Sequence, residues 1–228
     1  MPMSTPKDIR TKAYVLRRTN FGEADRILNL ITPEGKISAI AKGVRKEKSK
    51  LAGSVEMFSL IDIVIRQGKS ELGVVTSAKM VQFYDKILAD FARMELASFV
   101  LKKINISVEH SNDAENFKIV DQVFKVINAG ENLETIETWF LFNYLRLVGE
   151  QVNLYRDTSG NDLVADGEYE WDFGENALVS RPGGRITANE IKLMRLAVTS
   201  NLGTFLKVKN TREMMPLILH IARGLNKM

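Results

Sequence analysis

The period of the hydrophobic pattern changes once along this chain, near residue 80, and that change constrains the fold more than any other feature. Before it, apolar residues alternate with polar ones in short runs bounded by turn-forming residues, which is typical of β-strands. After it, apolar residues recur three and four positions apart, which is typical of helices. We therefore predict an α+β protein of two domains, a β-rich one over residues 1–80 and a helical one over residues 81–228.

The first 80 residues are predicted to form five short strands joined by turns. A turn at 32–35 places Pro33 where a fixed φ is favourable and Gly35 where φ can be positive, so the strands on either side form a hairpin. The predicted strands cover residues 11–18, 26–31, 36–42, 59–67 and 71–78. So many strands in so short a stretch indicate a small barrel or a sandwich.

Helical spacing continues to the end of the chain with one interruption. Asn112 with Glu115, and Thr187 with Glu190, have the spacing of capping boxes, which mark helix starts. The predicted helices cover residues 85–108, 112–129, 133–148, 187–199 and 211–226. The third helix is apolar on several sides, as expected of a central helix. The interruption, residues 153–185, is rich in Gly, Asp and Asn, so we predict an inserted irregular loop module that could hold one short hairpin.

The residue types exclude several kinds of chemistry. The 228 residues include no cysteine and only two histidines, His110 and His220, which excludes thiol catalysis and thiolate or His-rich metal sites. The common phosphate-binding, dinucleotide-binding, zinc-protease and nucleophile-elbow motifs are absent. We therefore predict a protein that is not an enzyme and has no catalytic residue, no cofactor and no metal. The enzyme alternative is a nuclease that binds metal through carboxylates of segment 153–185.

The sequence carries no signal for a membrane location. No apolar run reaches the roughly 18 residues that a spanning helix needs. The first residues, MPMSTPKDIRTK, lack the apolar stretch of a signal peptide. We expect a cytoplasmic protein with no membrane partner.

Positive charge is concentrated in the first third of the chain. Residues 1–80 carry a net charge of +7, and residues 81–228 carry −3. The densest cluster lies in a polar loop after the third predicted strand and comprises Lys42, Arg45, Lys46, Lys48 and Lys50. A second group surrounds the first predicted loop and comprises Arg17, Arg18, Arg26 and the aromatic residue Phe21. Cations neutralise phosphates and aromatic rings stack on bases, so we predict that these nine residues bind DNA.

Two other interpretations of the basic region remain open. A charged loop can be no more than solvated surface. A small barrel can also bind protein, which makes the chain alternatively an interaction adaptor whose basic loop binds an acidic partner peptide. A steep salt dependence favours DNA, whereas a saturable 1:1 peptide complex without DNA affinity favours the adaptor.

Residues 10–80 resemble the N-terminal part of the bacterial RecO family of recombinational-repair proteins. The resemblance is carried, in this order, by EADR at 23–26, LITPEGK at 30–36 and AKGVR at 41–45. It continues more loosely through the helical region, in the order of elements and in the aromatic helix near 135–148. The resemblance implies an N-terminal five-stranded OB-fold barrel followed by an all-α helical domain.

The resemblance also implies a function. Family members bind single- and double-stranded DNA, anneal complementary strands and help load the RecA recombinase onto DNA covered by single-stranded-DNA-binding protein. RecR and the acidic tail of the single-strand binder are the implied protein partners. Many members carry a zinc module with paired CxxC motifs where this chain has residues 153–185. Without cysteine, we expect a metal-free remnant held by hydrogen bonds and by packing of Tyr169, Trp171 and Phe173.

A docking site for the acidic tail is expected in the helical domain, separate from the DNA-binding loop. A tail that is acidic with an apolar end needs an apolar pocket rimmed by Lys or Arg. The candidate rim residues are Lys102, Lys103, Lys207, Lys209, Arg212 and Arg223, and the candidate lining residues are Leu206, Met214 and Met215. Alternatively, the methionines belong to the core and the charges are solvated.

Overall fold

The computed structural model describes residues 7–108 and 114–227, and these begin with five strands. The strands are β1 Lys7–Phe21, β2 Asp25–Thr32, β3 Gly35–Ala41, β4 Ser59–Gln67 and β5 Gly73–Phe83. Neighbouring strands pair antiparallel except β3 and β5, which pair in parallel over a short stretch. Because β4 also pairs with β1, the order β1-β2-β3-β5-β4 closes into a barrel. The prediction of a five-stranded OB-type barrel is confirmed.

Strand β1 is longer than predicted because it pairs on both sides of the barrel. Its first half, up to Tyr14, pairs with β4, and its second half, from Tyr14 onward, pairs with β2. A bulge between Val15 and Arg17 shifts the register, so the alternation of apolar and polar residues breaks in the middle of the strand. The predicted turn at 32–35 is present, and Gly35 has a φ of 113° in it.

Aliphatic side chains fill the barrel interior. The buried residues of this core are Ala13, Val15, Leu28, Leu30, Ala39, Ala41, Ile61, Ile63, Ile65 and Val75 from the strands, with Val44 and Val55 from the β3–β4 connection. Full burial of one Leu or Ile side chain stabilises the fold by about 1.5–3 kcal/mol. Val44 and Val55 therefore anchor the β3–β4 connection in the barrel core.

The helices that follow are close to those predicted, except that the first is divided into two and the last starts later. They are α1 Asp85–Leu88, α2 Phe91–Ser107, α3 Ala114–Ala129, α4 Leu133–Leu147, α5 Ala188–Thr199, α6 Leu202–Phe205 and α7 Met215–Leu225. The first predicted helix is interrupted because the side chain of Asp90 caps α2, accepting a hydrogen bond from the Arg93 amide. The last begins at Met215, with Pro216 in its first turn.

The capping box of Thr187 and Glu190 is confirmed at the start of α5. The other predicted capping residue, Asn112, lies outside the described residues, as does His110. The short helix α6 was not predicted, and the side chain of Asn201 caps it by accepting a hydrogen bond from the Thr204 amide.

Tyr14 fixes α3 against the outside of the barrel. Its hydroxyl donates a 2.8 Å hydrogen bond to Oδ1 of Asp121 and lies 3.0 Å from the Tyr84 hydroxyl. Its ring lies 5.4 Å from the rings of Phe117 and Phe124, measured between centroids. Burial, followed by the contact with Tyr84, raises the pKa of Tyr14 far above its ordinary value. The phenol is therefore neutral and can donate to Asp121.

Contacts divide the chain into two compact units, Met1–Gly130 and Glu131–Met228. Unit 1 comprises the barrel with α1–α3, and unit 2 comprises α4–α7 with the segment between α4 and α5. The barrel ends at Phe83, close to the change of period near residue 80. Helices α1–α3 nevertheless pack with the barrel, so the contact boundary lies after Gly130 and not after residue 80.

Helix α4 is the centre of unit 2, as its apolar sequence predicts. Its buried side chains lie on nearly all of its faces, and α5, α6 and α7 pack against it. The indole Nε1 of Trp139 donates to the Ser200 carbonyl, and Nδ2 of Asn143 donates to the Ala197 carbonyl, both over 2.9 Å. These two bonds attach the end of α5 to α4.

Segment 153–185 contains one hairpin, as predicted, in which β6 Tyr169–Asp172 pairs with β7 Ala177–Ser180. Tyr169 is buried, and its hydroxyl accepts a 2.9 Å hydrogen bond from the Val164 amide. Trp171 is buried as well. Phe173 differs from the expectation, because it is 41% exposed and makes a T-shaped contact with the ring of His220. Hydrogen bonds together with Tyr169 and Trp171 hold the interior of this segment.

Candidate nucleic-acid interface

The cluster of positive charge lies in the connection between β3 and β4, and we call residues 42–50 the basic loop. Val44 is buried in the barrel core, whereas the five cations of the loop are all exposed: Lys42, Arg45, Lys46, Lys48 and Lys50. The Lys46 amide donates to the Gly43 carbonyl over 3.1 Å, and the Ser49 amide donates to the Lys46 carbonyl over 3.0 Å. An apolar anchor and tight turns thus hold the cations at the surface.

Three hydrogen bonds join the basic loop to the turn between β1 and β2. The Gly43 amide donates to Oδ1 of Asp25 over 2.7 Å, and the Arg45 amide donates to the Ala24 carbonyl over 2.9 Å. The Arg45 guanidinium donates from Nη1 to the Gly22 carbonyl over 3.2 Å. Gly43 has a φ of 62°, a conformation that glycine adopts without strain. The EADR and AKGVR sequences therefore form one continuous surface.

Phe21 and Arg26 flank the same turn. Phe21 is the last residue of β1 and is 53% exposed. Arg26 lies in β2 opposite Asn20, and its Nε donates to the Asn20 side chain over 3.3 Å. The structure thus brings an exposed aromatic ring and a further cation to the turn to which the basic loop is bonded.

Arg17 and Arg18 are not equally available. Adjacent residues of a strand point to opposite faces, so the two side chains do not line one surface. Arg17 is exposed, whereas Arg18 is half-buried with its guanidinium 2.5 Å from the carboxylate of Glu56. This ion pair compensates the charge of Arg18, which leaves Arg17 better placed to contact a phosphate.

The arrangement can neutralise charge and stack on flat groups. Its exposed carboxylates, Glu23 and Glu47, are outnumbered by the loop cations. Lys and Arg side chains of this kind bind phosphates without reference to sequence, and the ring of Phe21 can stack on any base. Neither role requires a reacting group.

Two residues that assemble this surface, Asp25 and Gly43, were not among the predicted site residues. Neither is a cation or an aromatic residue, so a search for phosphate- and base-binding side chains passes over them. Both lie inside the EADR and AKGVR sequences, and those motifs are the signal that could have found them.

The residues predicted to bind an acidic tail are divided between the two units. Lys102 and Lys103 lie on α2 in unit 1, where burial lowers the pKa of Lys103 and its ammonium lies 5.9 Å from the centre of the Phe99 ring. The others lie in unit 2: Leu206, Lys207, Lys209, Arg212, Met214, Met215 and Arg223. The guanidinium of Arg223 is already held by both carboxylate oxygens of Glu137, over 2.6 and 2.7 Å.

A cavity of about 560 Å³ in unit 2 includes Leu206, Arg212 and Met215 in its wall. The same wall carries Glu131 and Glu134, which repel an acidic peptide. Met215 is 3% exposed and belongs to the core. The structure brings three of the predicted residues together, in a cavity of mixed charge.

Among residues 7–108 and 114–227, no group of three or more acidic or histidine side chains is arranged to hold a metal ion. In the same residues, no helix is long and apolar enough to cross a membrane.

The fold and this surface define the class of the protein, an OB-type barrel with an exposed basic face, followed by helices. The model of the family described as "Recombination protein O N terminal" matches residues 3–84, which include the whole barrel. The barrel of this chain therefore matches the N-terminal domain of the RecO family, and the resemblance seen in the sequence is confirmed.

Several curated relatives align with most of this chain. A protein named DNA repair protein RecO from Dehalococcoides mccartyi is 27% identical over 93% of this chain and 87% of its own length. One of the same name from Alkaliphilus metalliredigens is 28% identical over 96% of this chain and 89% of its own length. A third, from Bifidobacterium longum, is 38% identical over 49% of this chain and 48% of its own length.

Proposed function

We propose that this protein is a DNA-binding and strand-annealing factor of recombinational DNA repair. The match of its barrel to the RecO N-terminal family and the printed names of its relatives support the repair role. One observation carries the DNA-binding part: hydrogen bonds join the EADR and AKGVR sequences, so that the loop with its five exposed cations is bonded to the turn that follows Phe21.

Annealing makes few chemical demands, and this surface meets them. Two strands must approach with their phosphate charge screened and their base edges accessible. The exposed Lys and Arg side chains of the basic loop screen phosphates, and the release of counterions supplies affinity. Stacking on Phe21 occupies the face of a base and leaves its hydrogen-bonding edge open to a complementary strand.

The proposed role includes helping to load RecA onto single-stranded DNA covered by single-strand-binding protein. The proposed partners are single- and double-stranded DNA, RecR and the acidic tail of the single-strand binder. The two protein partners rest on the family resemblance, whereas the DNA contact rests on the geometry of the basic loop.

The test is a titration of fluorescently labelled single- and double-stranded DNA at two salt concentrations, followed by an annealing assay with complementary oligonucleotides. We expect affinity to fall as salt rises and annealing to be faster with the protein than without it. Failure to bind either DNA at low salt would contradict the proposal. A saturable 1:1 complex with an acidic peptide, without DNA affinity, would instead establish the adaptor.

A further inference from the structure

Tyr155 is an exposed aromatic ring held in a fixed position at the surface of unit 2. The other four tyrosines of the chain are buried, whereas Tyr155 is 62% exposed. Tyrosine is enriched at interfaces, because its ring can pack against a partner while its hydroxyl stays in water.

Hydrogen bonds fix the backbone that carries this ring. Oδ1 of Asn153 accepts bonds from the amides of Tyr155 and Arg156, over 3.0 and 3.1 Å. The carbonyl of Tyr155 accepts a 3.0 Å bond from the Leu163 amide. The segment is therefore ordered around Tyr155 although the ring itself is exposed.

A cation lies against the ring. The guanidinium carbon of Arg195 lies 4.4 Å from the ring centroid of Tyr155. The same guanidinium donates two hydrogen bonds, from Nε and Nη2, to the carbonyl of Leu154 over 2.9 and 2.6 Å. Ring and cation are thus fixed by the same short stretch of backbone, and little entropy remains to be lost when a flat group stacks on the ring.

The surroundings favour a nucleobase of a single strand as that flat group. Lys192, exposed on α5 one turn before Arg195, provides charge for a flanking phosphate. The carboxylates nearest in sequence are engaged locally. Asp157 accepts bonds from the amides of Ser159 and Asn161, and Asp162 pairs with Arg156.

We propose that Tyr155, backed by Arg195, is a stacking platform for an unpaired base of single-stranded DNA, a contact in unit 2 additional to the basic loop. This inference rests on the proposed DNA-binding function. The Tyr155 platform differs from the basic loop in chemistry, because it binds by stacking and contributes little charge. Replacing Tyr155 should therefore lower affinity without changing the dependence of binding on salt.

The experiment compares Tyr155→Ala and Tyr155→Phe with the wild-type protein, using fluorescent single- and double-stranded DNA over a range of salt concentrations. Tyr155→Ala should weaken single-strand binding about fivefold or more, with an unchanged salt slope and unchanged duplex affinity. Tyr155→Phe keeps the ring and should bind as the wild type does. Phe91→Ala, which removes a 75% exposed ring from unit 1, is the matched control and should leave binding unchanged.

A Tyr155→Trp variant keeps the test valid if the Ala variant folds poorly. Oligothymidine should quench the fluorescence of this variant more than that of the wild type. The two native tryptophans, Trp139 and Trp171, are buried and should respond little. If the wild type binds and anneals DNA but Tyr155→Ala binds as tightly, or Tyr155→Trp is not quenched, this inference is wrong and the proposed function stands. Equal losses on single strands and duplex also overturn it. Wild-type protein that binds no DNA overturns the proposed function.

Discussion

The amide of Gly43 donates a 2.7 Å hydrogen bond to the carboxylate of Asp25, and this bond joins the two sequences by which the chain is most readily recognised. Hydrogen bonds from an amide to an ionised carboxylate are about twice as strong as neutral ones. The position of the cations of the basic loop thus depends on a residue of opposite charge.

Charge removal in the basic loop should weaken DNA binding without unfolding the protein. Arg45, Lys46 and Lys48 are exposed, and substitutions of exposed residues usually change stability by no more than about 0.5 kcal/mol. Replacing all three with Ala should lower affinity for all sequences alike. Each lost phosphate contact should flatten the salt slope for single strands by about 0.7. Fluorescence titrations over a range of salt concentrations measure both quantities.

The control for this triple variant removes the same charge from other parts of unit 1. Lys69, Lys86 and Lys118 are exposed and lie outside the basic loop. Their combined replacement with Ala should leave most of the salt slope in place. If both triple variants behave alike, binding depends on net charge and the assignment of the loop is wrong.

Asp25→Ala should weaken DNA binding although it adds to the net positive charge. Loss of the carboxylate removes the bond to Gly43 and frees one end of the basic loop. Asp25→Asn has the same charge as the Ala variant but keeps an oxygen acceptor, so it should bind DNA more tightly than Asp25→Ala. DNA titrations of both variants show whether affinity depends on the position of the loop cations or only on net charge. Tighter binding by the Ala variant than by the wild type would mean that charge alone matters.

Local signals in the sequence accounted for most of the elements but not for their assembly. The turn with Pro33 and Gly35 and the capping box of Thr187 are set by neighbouring residues, so they could be predicted. The bond between Tyr14 and Asp121 joins residues 107 positions apart, and no local pattern contains it. Tyr155 was likewise missed, because its segment has an acidic composition and its partner, Arg195, comes from α5.

Replacing Tyr14 with Phe should destabilise the protein by about 1–3 kcal/mol near neutral pH, because Asp121 and Tyr84 each lose a buried partner. The pKa of Tyr14 is raised in the folded state, whereas in the unfolded chain it titrates near its ordinary value of about 10. Above that pH the Tyr14 phenol ionises in the unfolded chain but stays protonated in the folded protein. Ionisation favours the unfolded chain, so the wild type loses stability, whereas the Phe variant has no phenol at this position and does not. Denaturant unfolding at pH 8 and pH 11 should show that the difference in unfolding free energy between the wild type and the Phe variant is smaller at pH 11. The same difference at both pH values would contradict a raised pKa of Tyr14.

The protein should fold and bind DNA without zinc. Segment 153–185 has no cysteine, and the hydroxyl of Tyr169 and the bonds from Arg195 to the Leu154 carbonyl hold it instead. Elemental analysis of the purified protein should find less than one zinc per chain, and a chelator should leave the melting temperature unchanged. Stoichiometric zinc, with a melting temperature that falls on chelation, would show that carboxylates of the segment bind metal.

The acidic tail of the single-strand-binding protein should bind at unit 2 and not at the basic loop. Lys207, Lys209 and Arg212 are exposed there, although Glu131 and Glu134 in the nearby cavity oppose an acidic ligand. A labelled peptide copying the tail should bind the full chain, more weakly as salt rises because exposed charges are screened. Replacing the three cations of unit 2 with Ala should weaken the peptide complex and leave DNA affinity unchanged. If the triple variant of Arg45, Lys46 and Lys48 loses the peptide instead, the tail competes with DNA for the basic loop, and the two-site arrangement is wrong.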